Sequence, residues 1–359
     1  MSTRPRERLD LEIFELPVEK MRAGYYTDAY FNHARSALLA AGRHPRVLMQ
    51  VFQKKSALLG GVDEAIAILK LCSHGWGELE VHALYEGDRI EPWETVVTIE
   101  GDYTLFAHLE TVLLGVLARR TLVTTNVARV LEAARGKPII FMPARHDHHR
   151  VQTGDGYAAY VAGQVLGMPI GVTSDAQASW WGGTGIGTVP HALIAACGGD
   201  TVTAATIFAA WAPQDMNVTV LVDFENDSVR TSLEVARALG SRLWGVRLDT
   251  SESLVDRSLA DELGDFDLRG VNERLVRKVR DALDAEGFGD VRIVVSGGFS
   301  VEKIAAFEER GVPVDAYGVG SSLLRGENDF TGDVVLADGT LVAKAGRRLR
   351  PNPRLELVT

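Results

Sequence analysis

Two glycine-rich turns lie close together late in the chain, Ser296-Gly297-Gly298 and Gly318-Val319-Gly320-Ser321, each directly after a short apolar run. Backbone N–H groups can approach a phosphate closely where no Cβ intervenes, and glycine also reaches positive φ, so both turns suit phosphate capture. Ordinary βα turns are the plain alternative for either one alone. Further polar clusters follow other apolar runs. Pro143–Arg150 reads PARHDHHR; His146, His148 and His149 could ligate a metal, but spacings of one and two residues converge poorly on one ion, and no metal site is firmly assigned. Arg145 there offers a bidentate grip on phosphate or carboxylate. Ser174 and Asp175 directly follow another run. His191 opens an apolar helix after Gly187-Thr188-Val189-Pro190, where the helix N-terminus should lower its pKa and leave a neutral, nucleophilic imidazole. In VRLDT, Arg247 and Asp249 alternate with Leu248 and share one face of a strand end. Burying both in a packed core would be costly, which favours an active-site role: Asp249 for ribose hydroxyls or Mg²⁺, Arg247 for an anionic or aromatic substrate.

These clusters need a scaffold that brings strand ends together. Apolar runs recur at Ile139–Met142, Ile170–Thr173, Val218–Val222, Leu243–Leu248, Val291–Val295 and Val314–Tyr317. Helical patterns at Tyr157–Leu166, His191–Cys197, Val229–Leu239, Asn272–Ala285 and Val301–Arg310 separate them. Alternation of this kind predicts an α/β fold with a parallel sheet, and the number of repeats favours a β/α barrel. Upstream, the pattern predicts a helix over Phe14–Arg43, a strand at Val47–Phe52 and a helix at Asp63–Cys72 entered through Gly60-Gly61. Short alternating runs at Leu79–Tyr85, Ile90–Glu91 and Val96–Glu100 predict a small antiparallel sheet. A long helical zone, Tyr103–Arg135, is expected to break near Arg120–Thr125, where β-branched and polar residues cluster. The tail from Phe330 returns to hairpin character around Asp338-Gly339 and is expected to rejoin the N-terminal part.

Composition narrows the class. A chain of 359 residues with 46% hydrophobic and 24% charged residues can bury a large core, and a net charge of −10 argues against a nonspecific nucleic-acid binder. Cys72 and Cys197 are the two cysteines, so neither a disulfide framework nor a four-thiolate zinc site is available. The polar start MSTRPRERLD is unlike a signal peptide, and no run reaches the length of about 18 apolar residues that a membrane span requires. A soluble, cytoplasmic protein is expected.

With these residues assembled, nearly the whole chain resembles the type II phosphoribosyltransferases, and among them the nicotinate phosphoribosyltransferases. Thr27-Asp28-Ala29-Tyr30 resembles the family's TDxY element, and Glu86–Thr121 its entry and first long helices. Ala144-Arg145 resembles the substrate loop, TSDA the TSN element, GTVPHALI the GTxxH element, VRLDT the R-x-D-S strand end, and SGGF and GVGSSLL the two phosphate loops. The resemblance implies an irregular β/α barrel (residues 119–328) with an N-terminal α/β sandwich-like domain (1–118) completed by the C-terminal segment (329–359). It also implies a homodimer or higher homo-oligomer with shared active sites. The reaction would be nicotinate plus phosphoribosyl pyrophosphate giving nicotinate mononucleotide and pyrophosphate in NAD salvage, with ATP as co-substrate and Mg²⁺. His191 would be the phosphorylated histidine, and Asp249 would hold the ribose. Ser296, Gly297, Gly298, Gly318, Gly320 and Ser321 would hold the 5′-phosphate. Arg145 and Arg247 would meet the pyridine substrate or pyrophosphate, beside Ser174 and Asp175, and Asp28 and Tyr30 would reach in from a neighbouring subunit. Asp175 stands where many nicotinate enzymes carry Asn, which keeps nicotinamide phosphoribosyltransferase open. Ala192 follows His191 where longer members often have Glu, which bears on ATP coupling. Quinolinate phosphoribosyltransferase shares the fold, and a catalytically silent nucleotide-binding barrel is the reading from another class. The acidic run Asp223–Asp227 superficially resembles the type I phosphoribosyltransferase motif, but the Thr-Gly-rich loop that should follow it is absent.

Overall fold

A computed structural model describes residues 7–262, 264 and 266–359. Most of the opening stretch that argues against a signal peptide, residues 1–6, lies outside the described residues. The chain divides into two compact units, one from the residues before 127 together with 326–359, the other from 127–325.

The first unit begins with α1 (Val18–Arg22) and α2 (Ala29–Ala40), where the pattern predicts one helix. Gly24 takes φ +70 between them and accepts the Thr27 N–H, a turn that a continuous helix would forbid. There follow β1 (Arg46–Phe52), β2 (Ala57–Leu58), α3 (Val62–Cys72), β3 (Glu80–Ala83), β4 (Arg89–Ile90), β5 (Thr95–Asp102) and α4 (Glu110–Ala133). The expected break in α4 near Arg120–Thr125 does not occur. The hydroxyls responsible for that expectation have partners: Thr121 Oγ1 accepts the Gly60 N–H, Thr125 Oγ1 accepts the Leu58 N–H, and Thr124 Oγ1 donates to the Arg120 carbonyl. Satisfied hydroxyls no longer compete with the helix backbone.

In the second unit strands and helices alternate: β6 (Ile139–Phe141), α5 (Gln152–Leu166), β7 (Ile170–Val172), α6 (Asp175–Ala178), α7 (His191–Ala196), α8 (Thr201–Trp211), β8 (Val218–Leu221), α9 (Ser228–Leu239), β9 (Leu243–Leu248), α10 (Glu273–Ala285), β10 (Arg292–Val295), α11 (Val301–Glu309) and β11 (Ala316–Val319). The six strands form one parallel sheet in the order β7-β6-β11-β10-β9-β8. It curls into an irregular barrel whose ladder is open between β7 and β8. An extended segment spans that gap, with the Ile186 N–H bonded to the Val172 carbonyl and the Val189 N–H to the Thr219 carbonyl. Strands β6, β8 and β11 are buried at every position, as a parallel sheet covered on both faces requires. Strand β11 lies two residues later than the sequence pattern predicts, so Gly318 belongs to the strand itself.

The chain then adds β12 (Thr331–Ala337), β13 (Thr340–Leu341) and β14 (Glu356–Leu357) to the first unit. Its antiparallel sheet has the order β13-β12-β1-β5-β3-β14, and β2 pairs with β4 in a small second sheet. Val47, Met49, Ile66, Leu69 and Ile99 make its core with Phe330 and Val358 from the tail. No helix among the described residues is long and apolar enough to cross a membrane.

Candidate active site

The carboxyl ends of the barrel strands surround a cavity of about 630 Å³, lined by residues of the second unit. β6 leads to Arg145 and His146, β7 to Thr173, β9 to Arg247 and Asp249, β10 to Ser296–Ser300, and β11 to Gly318–Arg325. His191, at the start of α7, lines it as well. This face is where β/α barrels place their chemistry, because loop side chains converge there while the strands stay packed.

Arg247 is fixed by three partners. Its Nε donates to Ser296 Oγ at 2.8 Å, Nη1 to Thr188 Oγ1 at 3.3 Å and Nη2 to Asp249 Oδ2 at 3.4 Å. Ser296 is buried, and its hydroxyl donates to Asp249 Oδ1 at 2.6 Å. Ser296 Oγ therefore sits between Arg247 and Asp249 and orients both. Gly297 and Gly298 take φ +80 and +67, and a Cβ at Gly298 would stand 1.6 Å from Glu252 Oε1. Only glycine fits there without moving Glu252. The Ser322 hydroxyl donates to the Phe299 carbonyl at 2.8 Å and so ties the second glycine turn to the first.

Arg145 is exposed on a short 3₁₀ turn, Pro143–His146, and no carboxylate pairs with it among the described residues. Ser174 and Asp175 are adjacent to the cavity wall rather than in it. Ser174 caps α6 in a capping box with Gln177, and Asp175 Oδ1 accepts the Gly185 N–H at 2.8 Å. Asp28 and Tyr30 belong to the first unit, outside the residues that line this cavity. The Thr111 hydroxyl donates to Asp28 Oδ2, and Tyr30 is exposed.

The expected lowering of the His191 pKa is corrected. Its Nε2 lies 3.0 Å from Asp223 Oδ1, and the hydrogen bond to that carboxylate raises the pKa above the ordinary value of 6.5. Partial burial and Arg247 oppose the rise, while the charges of Asp223 and Asp249 add to it. Helix α7 has only six residues, and a carboxylate in hydrogen-bond contact outweighs its terminal dipole. Stability from this pair is full below pH 6.5 and is lost as pH rises through the raised folded-state value. His191→Ala should therefore lower the melting temperature more at pH 6 than at pH 9; thermal scans giving a pH-independent difference would remove the ion pair from the account.

Asp223 escapes a motif-based search because the acidic run around it is incomplete as a type I motif, although its place directly after a strand was a usable signal. Thr188, Glu252, Ser322 and Arg325 also line the cavity without having been singled out from sequence. A shallower hollow of about 300 Å³ shares His191 and Asp249 with the main cavity and adds Phe224, Asn226 and Leu254. No group of three or more His, Cys, Asp or Glu among the described residues is arranged to hold a metal ion.

Comparison with known proteins agrees with this architecture. Residues 28–121 match the family described as quinolinate phosphoribosyl transferase, N-terminal domain. Over 277 residues the chain is 32% identical to nicotinate phosphoribosyltransferase pncB1 of Mycobacterium tuberculosis, covering 75% of this chain and 55% of that protein. The chain thus spans about half the length of the mycobacterial relatives it matches. The crystal structure of nicotinate-nucleotide pyrophosphorylase from Pyrococcus furiosus superposes with a TM-score of 0.80 at 31% identity, covering 96% of this chain and 85% of that one. Human nicotinic acid phosphoribosyltransferase shares the fold, with a TM-score of 0.60 at 18% identity over 88% of this chain and 75% of that one.

Proposed function

The chain belongs to the type II phosphoribosyltransferase family, and from that premise we propose that it joins nicotinate to the phosphoribosyl group of phosphoribosyl pyrophosphate. The observation that carries this reading is the convergence of two glycine turns, the Arg247–Asp249 pair and the unpaired Arg145 on one cavity. The pyridine nitrogen forms a bond to the anomeric carbon as the bond to pyrophosphate breaks. Charge develops on the ribose ring and on the leaving group, so the protein's tasks are positioning and electrostatic neutralisation, with little proton transfer. The glycine turns hold the 5′-phosphate, Asp249 the ribose hydroxyls, and Arg247 and Arg145 the pyrophosphate and the pyridine carboxylate. Mg²⁺ would travel with pyrophosphate, for which one or two protein carboxylates suffice; Asp249 and Glu252 of the cavity wall would supply them.

Asp175 gives no support to the amide substrate. Its carboxylate is engaged by the Gly185 N–H and is exposed, rather than turned to the cavity where it could receive a carboxamide. The quinolinate reading is favoured by the family match over residues 28–121. Arg145, Arg247 and Arg325 line the cavity, so turnover with quinolinate decides between one ring carboxylate and two.

ATP coupling would run through His191. In the neutral tautomer, whose Nε2–H donates to Asp223, the Nδ1 lone pair would accept the γ-phosphoryl group as ADP leaves, and water would later return the free histidine and release phosphate. That His191 lines both hollows supports a separate approach for the phosphoryl donor. A homodimer would complete the site through Asp28 and Tyr30 of a neighbouring copy.

Initial rates with phosphoribosyl pyrophosphate and each of nicotinate, nicotinamide and quinolinate, with and without ATP, test the assignment. Nicotinate should turn over fastest and ATP should stimulate it; turnover with none of the three would sink the enzyme reading. His191→Ala should abolish the stimulation and keep basal transfer, and unchanged stimulation would end the phosphohistidine role.

A further inference from the structure

We propose that Gln152 is the positioning residue that holds the Arg145 turn at its working distance from the end of β7, and so sets the grip on the ring carboxylate. The identity of that substrate rests on the phosphoribosyl reading above; the geometry does not.

Arg145 has no carboxylate to aim it, unlike Arg230, Arg237, Arg269 and Arg274, each of which is paired with one. Its direction is therefore set by the backbone of the turn that carries it. The turn is anchored through the Ala144 carbonyl, which accepts from Gln152 Nε2 at 3.1 Å. The other end of the same amide, Gln152 Oε1, accepts the Ser174 hydroxyl at 3.0 Å. Ser174 Oγ in turn accepts the Gln177 N–H at 3.3 Å. The Gln177 side-chain oxygen accepts the N–H groups of Thr173 and Ser174 at 3.0 and 3.1 Å. Gln177 is 1% exposed, so this end of the chain of bonds is immobile.

The result is one continuous connection from Thr173, on the cavity wall after β7, to the residue preceding Arg145, on the wall after β6. An amide suits the link because it donates at one end and accepts at the other. A capping role does not account for it: Gln152 opens α5, yet its amide bonds Ala144 and Ser174 rather than the first-turn N–H groups of its own helix.

Gln152→Glu isolates the effect. A carboxylate still accepts the Ser174 hydroxyl, but it cannot donate to the Ala144 carbonyl and repels it. The expected result is a rise in KM for nicotinate of roughly three- to tenfold, the worth of one hydrogen bond, with kcat and KM for phosphoribosyl pyrophosphate within about twofold of wild type. Parallel rises in both KM values, or a fall in kcat alone, would overturn the proposal. Crystal structures of wild type and Gln152→Glu, superposed on β6 and β7, should show the Pro143–His146 turn displaced by about 1 Å, a shift large enough to matter for a bound group. An unmoved turn refutes the inference whatever the substrate. If wild type fails to use nicotinate, the functional reading falls and the structural comparison alone decides. Should Gln152→Glu fold poorly, Gln152→Leu, which loses both bonds without adding charge, must give the same displacement.

Discussion

Replacing Arg247 with alanine is expected to lower kcat/KM by about a thousandfold, near 4 kcal/mol of transition-state stabilisation. The guanidinium is held by Ser296, Thr188 and Asp249, so under the proposed reaction it would stay in place while pyrophosphate charge develops and need no reorganisation at that moment. Alanine removes the cation and leaves Asp249 without its partner beside incoming phosphates. Arg247→Lys restores charge but not the fork, and a single ammonium cannot satisfy three fixed partners. It should remain roughly a hundredfold below wild type. Steady-state rates with both substrates varied, together with a melting temperature to show that the variants fold, check this. A loss under tenfold for the alanine variant would mean that the arginine only braces the wall.

The largest effect on stability should come from Gly156→Ala. An added Cβ would stand 2.1 Å from the Gln177 carbonyl oxygen and 2.6 Å from its Cα. Both atoms are backbone, so no rotamer relieves the overlap, and α5 must part from α6. A cost of about 3 kcal/mol is expected, with the melting temperature lowered by roughly 10 °C. Gly115→Ala, in α4, meets nothing within 4 Å and should instead stabilise by about 0.5–1 kcal/mol. Denaturant unfolding of the two variants beside wild type would expose the error if they behaved alike.

The barrel strands are legible in the sequence because a parallel strand buried on both faces must be a short continuous apolar run, and loops then punctuate it. Their polar ends are legible for the complementary reason that Arg247, Asp249 and His191 have no packing role to explain them. Helix α8 is not legible: TVTAATIFAAW has no charged face, so its period is weak despite the Asp200 cap. The pairing of His191 with Asp223 is not legible, because a hydrogen bond between residues 32 apart in sequence leaves no spacing signal. The reading of Ser296 shifts for a related reason. Its sequence neighbours are phosphate-type glycines, but its hydroxyl is turned to Arg247 and Asp249 across the sheet. Asp175 likewise reads as a wall residue by position, whereas the return of the chain at Gly185 captures its carboxylate.

The pairing of β12 with β1 has a consequence for synthesis on the ribosome. Strand β1 lies between β12 and β5, and Phe330 and Val358 belong to the same core, so the sheet of the first unit lacks half its strands until residues 331–357 have emerged. The nascent chain must carry an unfinished, apolar sheet edge through translation of residues 127–325, a compact unit able to fold meanwhile as one contiguous stretch. The part of the protein made first is thus completed last, and during that interval it carries the unpaired strand edge.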